Sequence, residues 1–283
     1  MEVTNKYHTH LERKNGWFDI NLKEVWQYRD LIWLFTKRDF VLRYKQTILG
    51  PIWVVLQPLI TTLIFTLVFG GIAGISTDGV PQVLFYMGGN AVWSFFAACL
   101  NGTATTFTGN AGVFGKVYFP RLVSPISTVL SSMVNFFIQF AMFLVFWVYF
   151  LVTKQVSPNY IGILMLPVIL LYLGMLGLGF GVIISSLTTK YRDLVMLVGF
   201  GVQLWMYITP VVYPVSTLGS GGLYKLVMLN PVTCAVETFR WAFLGSGAFE
   251  PLYWGISAVV MAAVVFFGVI IFSKVEKTFM DTV

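Results

Sequence analysis

One lysine follows a glycine in a way that could bind a phosphate group, at Gly115-Lys116. A phosphate-binding loop of the Walker type needs a glycine five residues before this glycine, and a serine or threonine after the lysine. The chain has Asn110 and Val117 at those positions. The sequence therefore predicts no nucleotide site in this chain.

Other residues capable of metal, redox or acid-base chemistry are few. Cys99 and Cys234 lie in apolar stretches, and His8 and His10 lie in a polar N-terminal tail. This arrangement favours two buried thiols over a disulfide or a metal site. A membrane-embedded transferase or protease would need a cluster of carboxylates, histidines or a metal. We therefore expect no catalytic residue, no metal and no cofactor in this chain.

Long charge-free stretches dominate the chain. There are six of them, at 46–77, 79–115, 122–153, 155–189, 194–224 and 251–273. Each exceeds the roughly 20 residues with which a helix crosses a bilayer, and none shows the ten-residue alternation of β-barrel strands. The sequence predicts an all-α integral membrane protein with six transmembrane helices. We expect residues 1–45 to precede this domain, residues 46–273 to form it and residues 274–283 to be a tail.

The basic residues predict the orientation of the spans. Fifteen of the 18 lysines and arginines fall on the side that the termini would share if six spans cross, and three fall on the other. Basic loops stay in the cytoplasm, so we expect both termini there. The net charge of +6 is then mostly a matter of topology, and nucleic-acid binding is not indicated. The spans themselves lack the ionisable residues that ion-coupled carriers and channels usually bury.

Residues 22–44, called the collar below, mix aromatic residues such as Trp26 and Trp33 with basic residues such as Lys37 and Arg38. Their charge density is too high for a span, and the pattern is typical of an amphipathic helix in the headgroup layer. The collar is either a simple membrane anchor or a structural element beside a partner and the access route of a substrate.

The link at 109–121, called the docking segment below, is bounded by glycines and Pro120. It predicts a short surface helix that exposes Phe114, Tyr118 and Phe119 on the cytoplasmic side. Exposed aromatic residues between two spans favour a docking site for another protein. Anchoring in the membrane interface is the alternative.

The segment 215–250 should lie outside. Its apolar part, 226–236, would be a helix of about 17 Å, which is too short to span. Asn230-Pro231 predicts an N-cap and a first-turn proline for a helix to about Gly245. Glu237 and Arg240 could pair on that helix, as a structural clamp or as part of a moving gate. We predict an outer re-entrant helical hairpin.

Two spans carry residues that shape helices. Pro58 should kink the first span, because proline removes a helix hydrogen bond. Gly177 and Gly181 in the fourth span should allow close approach of a neighbouring helix.

Several motifs occur in order along the chain. They are Arg43-Tyr-Lys-Gln-Thr-Ile-Leu-Gly-Pro51, Phe114-Gly-Lys-Val-Tyr-Phe-Pro-Arg121, Tyr213-Pro214, Asn230-Pro231 and Glu237-Thr-Phe-Arg240. Together they resemble the membrane subunit of bacterial ABC exporters of cell-surface polysaccharides. The O-antigen (lipopolysaccharide) permeases are the most similar group, with capsule and teichoic-acid permeases nearby.

This resemblance implies a homodimer in the bacterial inner membrane, with two copies of an ABC ATPase that binds ATP and Mg. The cargo would be a polysaccharide linked to undecaprenyl diphosphate, moved through a channel at the dimer interface. The docking segment and the turn 188–193 would meet the ATPase, and the hairpin would form the outer gate. The residues implied at the ATPase are Asn110, Phe114, Lys116, Tyr118, Arg121, Lys190 and Arg192, and those at the gate are Asn230, Glu237 and Arg240.

A sugar polymer can slide along aromatic walls. Candidates for the substrate channel are Phe65, Phe69, Trp205, Tyr207 and Tyr213, although core packing or interface anchoring would also explain them. Arg43, Lys45 and Arg121 could attract the lipid diphosphate through charge-assisted hydrogen bonds, although topology alone would also place them there. A drug or lipid exporter of the same superfamily is the alternative function, as is a capsule or teichoic-acid permease.

Overall fold

The structure is a computed structural model that describes residues 22–45, 50–191 and 193–278, and all regular secondary structure in these residues is helical. The helices are α1 (Leu22–Gln27), α2 (Arg29–Tyr44), α3 (Trp53–Phe65), α4 (Gln82–Ala104), α5 (Thr106–Phe114), α6 (Val123–Val152), α7 (Tyr160–Ile163), α8 (Leu166–Thr188), α9 (Leu194–Ile208), α10 (Gly222–Met228), α11 (Pro231–Leu244) and α12 (Pro251–Thr278). Short 3₁₀ turns lie at Gly50–Ile52 and Val215–Leu218.

Five helical segments are long and apolar enough to cross a membrane. They are Trp53–Ile72, Gln82–Ala104, Val123–Val152, Tyr160–Thr188 and Pro251–Glu276. This confirms the predicted all-α membrane class for the described residues. The predicted number of six spans is not confirmed.

The missing span is the fifth one expected from the sequence. Its helix, α9, has only 15 residues, which is about 22 Å of helix and shorter than the hydrocarbon layer. The helix ends at Ile208, and Thr209 is already extended with φ −81° and ψ 139°. Pro210 explains this ending, because a proline disfavours the α conformation of the residue before it.

The first span is irregular in two places. Pro58 lies inside α3, as expected, and after Phe65 the chain continues as a π-helix over Thr66–Ile72. A π-helix of seven residues is unusual, and such turns occur often at functional sites. Only 11% of this span is buried within the subunit, so α3 is a peripheral helix.

The centre of the molecule is α4, whose apolar window is 78% buried. It packs between α6 and α8. On α8, Gly177 and Gly181 face α4: a Cβ atom at Gly177 would lie 2.6 Å from Cβ of Cys99, and one at Gly181 only 1.6 Å from Oγ1 of Thr103. The predicted close approach at these glycines is therefore confirmed, and α4 is the neighbour that they admit.

One end of the bundle, called the basic end below, is formed by the collar, α5, the loop at 115–121, the turn at 188–191 and the end of α12. The collar consists of α1 and α2, separated at Tyr28, and α2 packs on the start of α6, where the Thr36 hydroxyl lies 3.4 Å from the Ser127 carbonyl. The helix predicted within 109–121 is in fact α5, which ends at Phe114. Gly115 to Val117 form a turn and a bend, and Tyr118 to Pro120 have no regular secondary structure.

The opposite end, called the hairpin end below, is closed by α10 and α11. All but two residues of α11 are buried, and it packs on α4, α7, α8 and α12. It ends at Gly245 with φ +72°, where a Cβ atom would lie 2.2 Å from the Ser157 carbonyl oxygen. A glycine is required here by both the left-handed backbone and the close approach.

Candidate functional site

The docking segment at the basic end is held down by its own aromatic residues. Phe114 and Phe119 are each only 4% exposed, and their rings pack at 5.6 Å. Phe119 also packs edge-on against Phe35 of the collar at 5.5 Å, and Phe114 against Phe107 at 6.3 Å. The expectation that Phe114 and Phe119 are exposed is therefore wrong. Burial of these two large rings stabilises the docking segment against the collar. The sequence pattern, which resembles that of a surface helix, did not indicate this burial.

What the docking segment exposes is the stretch between those two rings. Lys116 is exposed, Val117 is 59% exposed and Tyr118 is 69% exposed. Asn110 is different, because its side-chain amide donates hydrogen bonds to the Thr106 carbonyl at 3.0 Å and to the Ser124 hydroxyl at 2.9 Å. Lys116 and Tyr118 can thus meet a partner directly, whereas Asn110 joins α5 to α6.

Arg121 ends the docking segment and binds the last helix. Its backbone N–H donates to Oε1 of Glu276 at 3.3 Å, its Nε lies 4.0 Å from the same oxygen, and its Nη1 donates to the Glu276 carbonyl. Its guanidinium also lies 5.6 Å above the Phe114 ring. Burial lowers the pKa of Arg121 from its usual value, and the nearby carboxylate of Glu276 opposes that shift. Sequence reasoning missed Glu276, which lies between Lys274 and Lys277 near the end of the chain.

The second predicted docking element, the turn at 188–193, lies beside the first. The Thr188 hydroxyl lies 3.3 Å from the Ala104 carbonyl, and the backbone N–H of Phe107 donates to the Ser185 hydroxyl at 3.2 Å. The Lys190 ammonium lies 5.4 Å from the ring of its neighbour Tyr191. Arg192 lies outside the described residues. The fold thus brings the turn at 188–191 beside α5, and the docking role of both segments stays a prediction.

The structure does not show a cluster of the three residues predicted to attract a diphosphate. Arg121 is engaged with Glu276, and Lys45 is exposed at the end of the collar. The side chain of Arg43 lies outside the described residues. A diphosphate site at these positions stays a prediction.

The aromatic residues of the first span form a small stack. Phe65 and Phe69 meet edge-on at 5.4 Å, and their ring centroids lie 6.2 Å and 6.5 Å from that of Tyr86 on α4. Both phenylalanines are half-buried. Each ring packs on α4 and keeps an exposed edge. The geometry therefore fits a role in the wall of a substrate channel as well as a role in core packing.

The aromatic residues of α9 differ from one another. Trp205 packs on Phe96, Phe180 and Trp93 at 5.2 Å, 5.5 Å and 6.4 Å, which makes it part of the core. Tyr207, in contrast, is 51% exposed. Tyr213 follows the helix and donates its hydroxyl proton to the Ile208 carbonyl at 3.0 Å.

The hairpin end contains a buried ion pair. Glu237 and Arg240 pair at 3.0 Å with side-chain exposures of 4% and 1%, as their spacing on α11 predicted. A charge this deeply buried must be paired, because desolvation otherwise costs several kcal/mol. The guanidinium also lies 3.6 Å from the centroid of the Phe85 ring, a partner that the sequence pattern did not reveal.

Arg240 directs both terminal nitrogens of its guanidinium at the chain that follows α9, whereas its Nε is buried without a hydrogen-bond partner among the described residues. Its Nη1 donates to the Pro210 carbonyl at 2.6 Å, and its Nη2 donates to the Val211 carbonyl at 2.7 Å. These carbonyls belong to residues that have left helical geometry and have no helical N–H partner. The planar guanidinium donates to both from two separate nitrogens in a fixed geometry, which the single ammonium of a lysine does not provide. The pair is therefore a clamp on the segment 210–213.

Asn230 has the predicted capping role and a further one. Its Oδ1 accepts from the backbone N–H of Val232 at 3.2 Å, and also from the indole N–H of Trp205 at 3.1 Å. Its amide donates to the Thr209 hydroxyl at 2.9 Å. This residue fastens the start of α11 to the end of α9, so two of the residues predicted separately for channel and gate are in contact.

Further hydrogen bonds fasten α11 to its surroundings. The Tyr172 hydroxyl on α8 donates to the Pro231 carbonyl at 2.9 Å. On the other side, the indole of Trp254 on α12 donates to the Thr238 hydroxyl at 2.7 Å, and that of Trp147 on α6 donates to the Phe243 carbonyl at 2.6 Å. A helix held from three sides is a fixed element, which favours the structural clamp. The gate role of the hairpin stays a prediction.

Comparisons with known proteins agree on one kind of protein. A family model described as "ABC-2 type transporter" matches residues 30–244. The chain is 27% identical over 224 residues to the O-antigen export system permease protein RfbA of Myxococcus xanthus, covering 78% of this chain and 83% of that protein. Two proteins of the same name from Klebsiella pneumoniae are 25% and 26% identical over 253 residues, which is 89% of this chain and 94% of each.

Proposed function

The chain belongs to the ABC-2 type transporter family, and on that premise we propose that it is the membrane subunit of an ATP-driven exporter of O-antigen-type polysaccharide. The observation that carries this proposal is the similarity to permeases named for O-antigen export, which extends over 89% of the chain. The helical membrane architecture is the one that such a subunit needs. The subunit moves a polymer and catalyses no reaction of its own.

The energy for export comes from a separate ABC ATPase that binds ATP and Mg. Membership of the family supports this partner, and so does the exposed pair Lys116 and Tyr118 beside the turn that holds Lys190. Two subunits and two ATPase copies assemble around a passage between the subunits. Only 11% of the first span is buried within the subunit, so most of its surface can pack against a second copy of the chain.

The cargo is a polysaccharide linked to undecaprenyl diphosphate, taken up from the cytoplasmic side of the bacterial inner membrane. Sugar rings present C–H faces and hydroxyl groups, so aromatic walls let many units pass without holding any one of them. The half-buried Phe65 and Phe69 and the exposed Tyr207 are suited to such a wall. Both termini lie in the cytoplasm, which requires that α9 together with the segment after it crosses the membrane.

A deletion strain tests this function. Without this subunit, lipid-linked polymer should accumulate on the cytoplasmic side and surface polymer should disappear, and a plasmid-borne copy should restore export. A copy of the partner ATPase with its Walker lysine replaced should give the same accumulation. Normal surface polymer in the deletion strain, with changed sensitivity to drugs or altered lipid export, would refute the proposal and favour a drug or lipid exporter. Loss of capsule or teichoic acid alone would assign a different polymer.

A further inference from the structure

Three elements meet around the end of the docking segment. Arg121 of that segment binds Glu276 on α12, and Phe107 of α5 stacks on Phe272 of α12 at 4.5 Å, with ring planes 24° apart. Phe119 packs on Phe35 of the collar. The docking segment is therefore bonded to the last helix and packed on the collar, in addition to its covalent links to α4 and α6.

Electrostatics place Tyr118 in this junction as well. Tyr118 has an exposed ring, but partial desolvation of its hydroxyl and the nearby carboxylates of Glu24 and Glu276 raise its pKa. Glu24 belongs to the collar and Glu276 to α12. The surface that a partner would touch is thus within electrostatic reach of both neighbouring elements.

Glu276 is the residue on which this junction depends most. Its carboxylate accepts the Arg121 backbone N–H and lies 4.0 Å from Nε of the Arg121 side chain, while its main-chain carbonyl accepts from Nη1. The carboxylate thus fixes the direction of the loop and attracts the guanidinium. The Arg121 side chain is 11% exposed and that of Glu276 is 32% exposed, so water screens the pair only in part. The rings of Phe107 and Phe272 complete an apolar contact one turn of α12 away.

We propose that Glu276 is a positioning residue that makes the docking segment and α12 move as one unit. A displacement of the docking segment by the ATPase would then reach the last span directly, as well as α4 and α6. This inference rests on the proposed function, because it assumes a partner that pushes on the docking segment. It adds a route by which that push reaches a span remote from the docking segment in sequence.

The test uses the complex of this chain with its co-expressed ATPase and compares Glu276→Gln with a matched control. Glu250→Gln makes the same change at the residue before α12, where the main-chain carbonyl accepts the N–H of Trp254 and the carboxylate forms no ion pair among the described residues. Both variants are placed in a C99A/C234A background with spin labels at V117C and I271C, two exposed positions on the docking segment and on α12. Surface polymer, ATP hydrolysis and co-purification of the ATPase are measured on unlabelled versions.

We expect the parent and E250Q to keep one narrow spin-spin distance with and without ATP and vanadate, and E276Q to broaden it. E276Q should lower export about fivefold or more, the lower end of usual couplings between linked sites, while co-purification and ATP hydrolysis are retained. A merely structural role for Glu276 would not separate hydrolysis from export in this way.

Three results would overturn the proposal. They are a parent distance that changes with nucleotide, an E276Q variant that keeps a narrow distance and normal export, and an E276Q variant that no longer retains the ATPase. The last result would make Glu276 part of the docking surface. The spin-label distance is measured without polymer. A negative result for Glu276 can therefore be told apart from a wrong assignment of the polysaccharide cargo.

Discussion

The residues with the most demanding surroundings are Glu237 and Arg240, because both are charged and almost fully buried. The pair itself contributes little net stability, since desolvation offsets much of the attraction. Its value is geometric: the guanidinium supplies hydrogen bonds to the Pro210 and Val211 carbonyls, which no helix satisfies.

Replacing Arg240→Met should destabilise the subunit by about 3–5 kcal/mol, because Glu237 is left as a buried charge without its partner. The double variant E237Q/R240M loses the same bonds to the carbonyls but leaves no such charge, so it should recover part of the loss. Thermal unfolding of the detergent-solubilised protein, followed by tryptophan fluorescence, measures both. A double variant as unstable as R240M would show that the carbonyl bonds, and not the charge, dominate.

Two neighbouring serines on α6 make a second test at this scale. The Ser131 hydroxyl is buried without a hydrogen-bond partner, whereas the Ser132 hydroxyl donates to the Thr128 carbonyl at 2.9 Å. We expect Ser131→Ala to be neutral or stabilising by about 1 kcal/mol, and Ser132→Ala to cost about that amount. The same unfolding assay compares them. Equal effects of the two changes would contradict the hydrogen-bond assignment.

Among the elements, α4 and α8 carry the closest helix contact. Gly177 allows it, since a Cβ atom there would lie 2.6 Å from Cβ of Cys99 and 3.2 Å from the Leu100 backbone nitrogen. A backbone neighbour cannot move aside as the end of a flexible side chain can. The close approach of α4 and α8 at this point therefore depends on the absence of a Cβ atom at Gly177.

The change Gly177→Ala should therefore cost about 1–3 kcal/mol through overpacking. Gly255→Ala on α12 is the matched control, because nothing lies within 4 Å of its added Cβ. There the loss of backbone freedom in the unfolded chain should stabilise the protein by about 0.5–1 kcal/mol. Melting temperatures of the two variants should shift in opposite directions, and a shift in the same direction would refute the packing argument.

The sequence predicts a helix well where a local signal, such as a capping residue or a proline, marks its start or end. Charge-free length correctly gave five spans, and Asn230-Pro231 gave the start of α11, because a cap and a first-turn proline are local signals. The length of α9 was missed because a charge-free stretch continues past the point where Pro210 ends the helix. The π-helix at Thr66–Ile72 was missed as well, because a charge-free apolar pattern does not distinguish a π-helix from an α-helix.

In the whole molecule, the docking segment is where sequence and structure differ most. Hydrophobic rings in a loop between two spans look like a surface for a partner, yet Phe114 and Phe119 are buried by the collar, which is remote in sequence. A pattern confined to 109–121 could not reveal that neighbour. The same holds for Glu276, whose role depends on the fold bringing the end of α12 to Arg121.

This difference leads to a prediction for the assembled transporter. Tyr118→Ala should weaken co-purification of the ATPase at least about fivefold with no loss of subunit stability, because the side chain is exposed. Phe114→Ala should instead destabilise the subunit by about 3–5 kcal/mol, since it empties a buried ring position. Pull-down and unfolding measured on both variants check this. A Phe114→Ala variant that is stable but loses the ATPase would restore the role expected from the sequence.

The buried Glu237–Arg240 pair has one more consequence. Its opposite charges lie only 3.0 Å apart, so beyond a few ångströms they act as a small dipole whose field fades faster than that of a lone ion. Sugar units that differ in ionisation, such as a neutral hexose and an acidic one, would feel almost no preference from it. Any sorting of cargo by charge must therefore arise elsewhere on the route, and the pair can tolerate a chemically varied polymer.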